Sequence, residues 1–298
     1  MGSARRVRGY LFGAVDLVRR IALFSHTVDW PGVRQEAEDV LAGASCYADT
    51  HALIRSVLLR AGGRHSQLTV PGQSRVLSPQ VLAAVGPPVP TGRVVDTVGY
   101  LRLPRLSGSV RRRREYVRTG GLLLAELAAA RPTGWIVDLR ANTGGSMWPM
   151  LAVAAPLLPE GELGYFLLPG GAQRSWSLAD GRVRLAGRQM ARSRGPRSVP
   201  DPGPLVVLTG NHTASAGEAV AVAFSARPEV RVIGLPTRGL TSGNETRVLR
   251  DGTRMHITGS FYADHRRRRI TGSLGVDEEA SGEAALAAAV SWVRGRQG

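Results

Sequence analysis

The sequence predicts an α/β protein, a largely parallel sheet flanked by helices and preceded by a small helical lobe. Three observations carry that prediction. Strand-like apolar runs alternate with amphipathic helical stretches from Thr97 to Ile233, as repeated β–α units do. Two of the runs, Gly134–Leu139 and Leu205–Leu208, are almost continuously apolar, which suits strands buried on both faces. Before them, residues 1–75 carry three helix-spaced patterns and little strand signal. At 298 residues the length fits about two domains, expected here as a lobe at 1–75 and a core at 76–298.

Taken in order, Leu11, Val15, Val18 and Ile21 recur with helical spacing between Tyr10 and Phe24. Asp29-Trp30-Pro31 reads as a helix start with proline in the first turn, the helix running to about Leu41. A third helix runs from about Asp49 and stops at Gly62-Gly63. After a short alternation at 67–70, the Pro/Gly/Ser-rich stretch 71–90 is a connector with no room for an inserted peptide-binding (PDZ) module. A strand at Thr97–Pro104 leads to a polar loop at Arg111–Arg114 and a helix over Tyr116–Ala130. The strand at 134–139 is followed by a glycine turn and a helix over Met147–Leu158. Residues 170–197 look like an exposed hairpin excursion of weak pattern. The strand at 205–208 leads through a polar turn to a helix from Ser215 to Phe224, and Val230–Ile233 is the next strand. Thr246–Leu249 and Met255–Thr258 flank Asp251-Gly252 as a hairpin, and a last helix spans about 281–293.

Composition narrows the chemistry. The formal charge is +16, and all 39 basic residues are arginine, so no lysine side chain is available as a base or Schiff-base amine. The Arg111–Arg114 and Arg266–Arg269 clusters lack any nucleic-acid motif or interleaved aromatics for base stacking, which disfavours a nucleic-acid partner and favours solvated, anion-attracting loops. The single cysteine, Cys46, excludes an intramolecular disulfide and reads as a small buried hydrophobe. No apolar run is long enough to span a bilayer, and the Arg-interrupted N-terminus lacks a signal-peptide pattern. The expectation is a soluble, cytoplasmic chain.

Two strand–turn–helix junctions carry suggestive residues. At Gly144-Gly145, paired glycines bring backbone N–H groups close to a ligand, or simply serve a turn that needs positive φ. At the second, Ser215 begins a helix where unsatisfied N–H groups favour negative charge. There it is either an N-cap, completing an S-x-x-E capping box with Glu218, or a nucleophile. A serine nucleophile in a chain without lysine calls for histidine as its base. Of His26, His51, His65, His212, His256 and His265, His65 stands out on a turn just after a helix-ending Gly62-Gly63.

These segments resemble a known family. Gly134-Trp-Ile-Val-Asp-Leu-Arg-Ala-Asn-Thr-Gly-Gly145, Thr213-Ala-Ser-Ala-Gly-Glu218 and Gly234-Leu-Pro-Thr-Arg-Gly239 are similar, in the same order, to motifs of the tail-specific (C-terminal processing) serine peptidases. The resemblance implies a Clp-protease/crotonase-like α/β core. Where Ser–Lys members carry the base lysine, this chain has Leu240. It is therefore more similar to the Ser–His branch, with the tricorn core, the nisin-resistance peptidase and the interphotoreceptor retinoid-binding repeats. Arg64-His65-Ser66 matches the histidine motif of that branch, although Arg64 stands where tricorn-like sites have serine. The resemblance implies Ser215 as nucleophile, His65 as general base, Glu218 as the motif carboxylate, and Gly144, Gly145 and Ala216 around the oxyanion. A late acidic residue of the branch has its nearest counterparts in Asp277, Glu278 and Glu279. The implied activity is hydrolysis of peptide bonds in peptides or polypeptide tails, with a peptide or protein substrate as partner and no cofactor or metal. The alternative is an inactive binding protein for apolar ligands or peptides on the same scaffold.

Overall fold

The computed structural model describes residues 2–72, 88–199 and 202–296, so most of the connector expected at 71–90 lies outside the described residues. The elements, in chain order, begin with α1 (Gly2–Ile21), α2 (Trp30–Gly43), α3 (His51–Gly62), β1 (Gln67–Thr69), β2 (Thr91–Val95) and β3 (Val98–Arg102). Next come α4 (Val110–Ala129), β4 (Gly134–Asp138), α5 (Met147–Ala154), β5 (Gly161–Leu167), β6 (Gln173–Ala179), β7 (Arg182–Leu185) and β8 (Arg188–Arg192). The chain ends with β9 (Leu205–Thr209), α6 (Ala216–Phe224), β10 (Val230–Gly234), β11 (Ser242–Val248), β12 (Arg254–Ala263), β13 (Glu278–Glu279) and α7 (Gly282–Arg294). It divides into two compact units.

The first unit comprises Met1–Val76, Leu168–Ala172 and Ser242–Phe261. Its three helices form as the spacing of their apolar residues dictates. Asp29 caps α2 by accepting from the Gly32 amide at 3.1 Å, and Gly63, at φ +70°, ends α3 in a conformation that favours glycine. Leu11, Ala14 and Val18 of α1 pack with Ile54, Val57 and Leu58 of α3, and with Met255 and Ile257 of the hairpin β11–β12. The hairpin runs longer than its apolar pattern suggested, because Ser242–Glu245 pair with β12 without alternating in hydrophobicity. Its connection is also longer than the two residues of a tight turn. Val248 pairs with Arg254, and Leu249 N–H donates to Thr253 O at 2.8 Å. The Asp251 side chain accepts from Tyr10 and Thr253 and lies 3.0 Å from His51 Nε2, which opens the turn toward the helices.

The second unit holds a six-stranded sheet in the order β13-β10-β9-β4-β3-β2, parallel except for the edge strand β2. Tyr100, Ile136 and Val206 share one register row, and side chains alternate between faces as a strand requires. Leu101, Trp135, Val137, Leu205 and Val207 face α4, α5 and α6 in the larger core. Tyr100, Ile136, Val206 and Leu208 face α7 in the smaller one. The strands are buried on both faces, which is why they read as near-continuous apolar runs.

Three expectations are corrected. Arg111–Arg114 form no loop but lie in the first turns of α4, whose N-cap Ser109 accepts from the Arg112 amide at 3.4 Å; the charged run hid the helix start. The segment 170–197 is largely the antiparallel meander β6–β8 against β5, with Trp176, Leu178 and Val183 buried. Its alternation is diluted by arginines at the flanking positions, so one buried face escaped notice. Cys46 is exposed rather than buried, because its amide is drawn to Asp49 at 2.9 Å as the start of a short 3-10 turn.

Candidate active site

In the second unit, the turns after β4 and β9 are stapled together by the polar residues of their motifs. Thr213 Oγ1 donates to Leu139 O at 2.8 Å and accepts from the Gly210 amide at 3.0 Å. Ala214 N–H donates to Asn142 O at 2.9 Å. Asn142 itself is buried, donating to Leu103 O at 2.9 Å and accepting the Gly144 amide on Oδ1 at 3.0 Å. A side chain at position 217 would come within 2.7 Å of Asn142 O, so glycine there lets α6 approach this turn.

Ser215 sits at the end of this construction with φ +52° and ψ −113°. Such a backbone costs a non-glycine residue on the order of 1–3 kcal/mol and marks a position that the surroundings over-determine. An ordinary N-cap has extended dihedrals and uses its side chain to accept a helix amide. Ser215 and Glu218 do face each other as the capping box the sequence suggested, but on a backbone far from the extended dihedrals of an ordinary cap. The Ser215 side chain lies beside the phenol of buried Tyr262, whose pKa is raised by burial and by the Glu218 charge and drawn back by the serine. Neither the strained backbone nor the tyrosine was visible in the sequence, because Tyr262 lies 47 positions away on β12.

Gly144 and Gly145 have φ of +102° and +115°. A Cβ on Gly144 would stand 3.0 Å from Ser215 Cβ and 3.5 Å from the Ala216 amide, so its bare methylene keeps the space beside the serine open. A Cβ on Gly145 would overlap Leu106 O. The Gly144 N–H is committed to Asn142, whereas the amides of Gly145 and Ala216 have no acceptor among the described residues.

Glu218 is fully buried and takes four donors: Ser215 N–H at 2.6 Å, Thr237 Oγ1 at 2.6 Å, Gly239 N–H at 2.7 Å and Leu240 N–H at 2.9 Å. Burial pushes its carboxyl above the usual carboxylate range, and the four donors pull it back. This gives the Gly234–Gly239 motif its local reason, since Thr237 and Gly239 wrap the carboxylate. Gly234 is required because a side chain there would overlap Thr209 O. Leu240 contributes its backbone amide to the same carboxylate.

His65 belongs to the first unit and is buried there. Its Nδ1 lies 2.7 Å from Ser242 Oγ, and its carbonyl accepts Asn244 Nδ2 at 3.0 Å. Burial, then the neighbouring His256 and Arg64, push its pKa down to about 4, so the ring is neutral at pH 7. The other histidines are differently engaged. His51 pairs with Tyr10 and Asp251, His256 Nδ1 lies 3.0 Å from Thr246 Oγ1, and His26 and His212 are exposed. Asp277 accepts the Val232 amide at 2.7 Å and Glu278 pairs with Arg231, both serving the sheet edge. Among the described residues no helix is long and apolar enough to cross a membrane, and no group of three His, Cys, Asp or Glu side chains could hold a metal ion.

Residues 97–280 match Peptidase family S41. The nisin-resistance protein of Lactococcus lactis subsp. lactis is 25% identical over 285 residues, covering 96% of this chain and 86% of that protein. Among solved structures, a lipoprotein from Streptococcus agalactiae superposes with a TM-score of 0.79 at 24% identity, over 97% of this chain and 96% of that one. The photosystem II D1 C-terminal processing protease superposes with a TM-score of 0.57 at 16% identity, over 92% and 93% of the two chains. The core is thus the Clp-protease/crotonase-like α/β fold that the motifs implied. With three ordered motifs in one scaffold and a family match over more than half its length, the chain belongs to peptidase family S41.

Proposed function

We propose that this chain is a serine endopeptidase acting on peptides or polypeptide tails, with Ser215 as nucleophile and His65 as general base. The observation that carries the reading is the Ser215 backbone, held at φ +52° and ψ −113° at the start of α6, beside the side-chain-free Gly144. In this scheme neutral His65 takes the Ser215 proton as Oγ attacks the peptide carbonyl, then returns it to the leaving amine. The amides of Ala216 and Gly145 serve the oxyanion, beside the clearance kept by Gly144; one such donor is typically worth about 3–4 kcal/mol of transition-state stabilisation. Glu218 acts on the nucleophile's side by fixing the Ser215 amide. The carboxyl-terminal-processing protease among the relatives supports polypeptide tails as the substrate class.

The test is labelling by a serine-reactive fluorophosphonate together with turnover of a peptide library. Labelling mapped to Ser215, abolished by Ser215→Ala and nearly abolished by His65→Ala, is expected, with a non-additive double variant. Wild-type turnover in either single variant would overturn the assignment. An unlabelled Ser215 in folded protein would favour a binding protein for apolar ligands or peptides on the same scaffold.

A further inference from the structure

We propose that Ser242 is the positioning residue of the His65 base, holding the ring by Nδ1 where a Ser-His-Asp triad uses a carboxylate. The inference rests on the reading of His65 as base and adds a residue that none of the sequence motifs contains.

The pairing is local to the first unit. Ser242 Oγ stands 2.7 Å from His65 Nδ1, a full-strength hydrogen bond. Alternate residues of a strand share a face, and β11 uses this to grip His65 twice. Ser242 meets the ring, and two positions on Asn244 Nδ2 donates to the His65 carbonyl at 3.0 Å. Asn244 is held in turn, its Oδ1 accepting Thr258 Oγ1 at 2.9 Å. Ser66 Oγ accepts the Thr258 amide at 3.0 Å and donates to Thr258 Oγ1 at 3.0 Å. Gly62 completes the fit, since a side chain there would overlap Ser66 Oγ. Residues 65 and 66 are therefore tied to both strands of the hairpin, and Ser242 gives the ring a side-chain partner that fixes its rotation.

A base must present a lone pair on Nε2, which requires the proton on Nδ1 and an acceptor facing it. A serine hydroxyl rotates to accept from Nδ1–H, and it still accepts once the ring is protonated. Unlike a carboxylate it brings no negative charge. The hydroxyl supplies no carboxylate charge to the ring, which agrees with a histidine that burial, then His256 and Arg64, keep from protonating. Ser242 thus sets tautomer and orientation while leaving the base weak.

The experiment uses the full chain labelled with ¹⁵N-histidine, in the wild type and in Ser242→Ala, Ser242→Thr and His65→Gln. The last assigns the His65 resonances and tests the base reading. The Nδ1–H tautomer is expected for His65 in the wild type and in Ser242→Thr, and a mixture or the Nε2–H tautomer in Ser242→Ala. Fluorophosphonate labelling of Ser215, followed against pH, is expected to fall on the order of tenfold to a hundredfold in Ser242→Ala and to recover in Ser242→Thr. A purely packing role would leave the tautomer unmoved. An Nε2–H tautomer in the wild type, or unchanged tautomer and labelling in Ser242→Ala, overturns the proposal. If His65→Gln labels like the wild type, the base reading itself fails and this proposal with it. If His65→Gln does not label while Ser242→Ala behaves as wild type, the base stands and only the role of Ser242 falls.

Discussion

The Glu218 carboxylate accepts the backbone N–H of Ser215 at 2.6 Å, so the residue three positions into the helix anchors the strained residue at its start. The same carboxylate gathers Thr237, Gly239 and Leu240, joining two sequence motifs into one rigid corner. Replacing it by Glu218→Gln puts an amide NH2 against donors already aimed at an acceptor. Each buried donor left unpaired costs about 1–3 kcal/mol, so a loss of about 3 kcal/mol is expected in urea unfolding. Fluorophosphonate labelling should fall with it even where the variant is fully folded.

Ser215 carries backbone strain that glycine does not feel. Relief of a strained dihedral is worth on the order of 1–3 kcal/mol, against roughly 0.5–1 kcal/mol for the extra unfolded-state freedom of glycine. Ser215→Gly should therefore be more stable than Ser215→Ala by about 1 kcal/mol, measured by thermal or denaturant unfolding, while both fail to label. Equal stability of the two would mean that the corner does not hold the residue in this conformation.

Gly144 faces the nucleophile with no side chain, at a φ of +102°. An added methyl would stand 3.0 Å from Ser215 Cβ and 3.1 Å from Ala214 O, so strain and crowding act together. Gly144→Ala is expected to cost about 2–3 kcal/mol of stability and to suppress labelling of Ser215. Normal labelling with lowered stability would separate the turn from the chemistry.

His65 makes stability depend on pH. Its folded-state pKa, near 4, lies below the ordinary 6.5, so the unfolded chain binds more protons between those values. The contribution is complete above about pH 6.5 and is lost as pH falls toward about 4, amounting to about 3 kcal/mol. Denaturant melts across that window should show the slope in the wild type and a flatter profile in His65→Gln. The acid limb of Ser215 labelling should likewise lie well below pH 6.

How much of this was legible beforehand depended on the range of each signal. Leu205–Leu208 and Trp135–Val137 announced their strands because a strand covered on both faces is apolar at every position, whatever its neighbours. The hairpin excursion at 170–197 was legible but its buried face was not, because Trp176 and Val183 alternate with arginines of the exposed face, and only pairing showed which side was buried. Arg111–Arg114 hid a helix start because a charged run says nothing about a cap two residues earlier, at Ser109.

The site divides along the same line. Within a single stretch the sequence by itself marked Ser215 with Glu218 and the glycine pair as strand–turn–helix junctions, and its lack of lysine removed a lysine base. The roles proposed for them came from the resemblance to a known family. Only the tertiary structure decided that Ser215 holds strained, non-extended dihedrals at its helix start, that Thr237 and Gly239 serve Glu218, and that Tyr262 lies beside the serine. It alone set Ser242 against the His65 ring. Those relationships join residues 19 to 177 positions apart, and a hydrogen bond at that separation is set by how strands and helices pack, which no local pattern encodes.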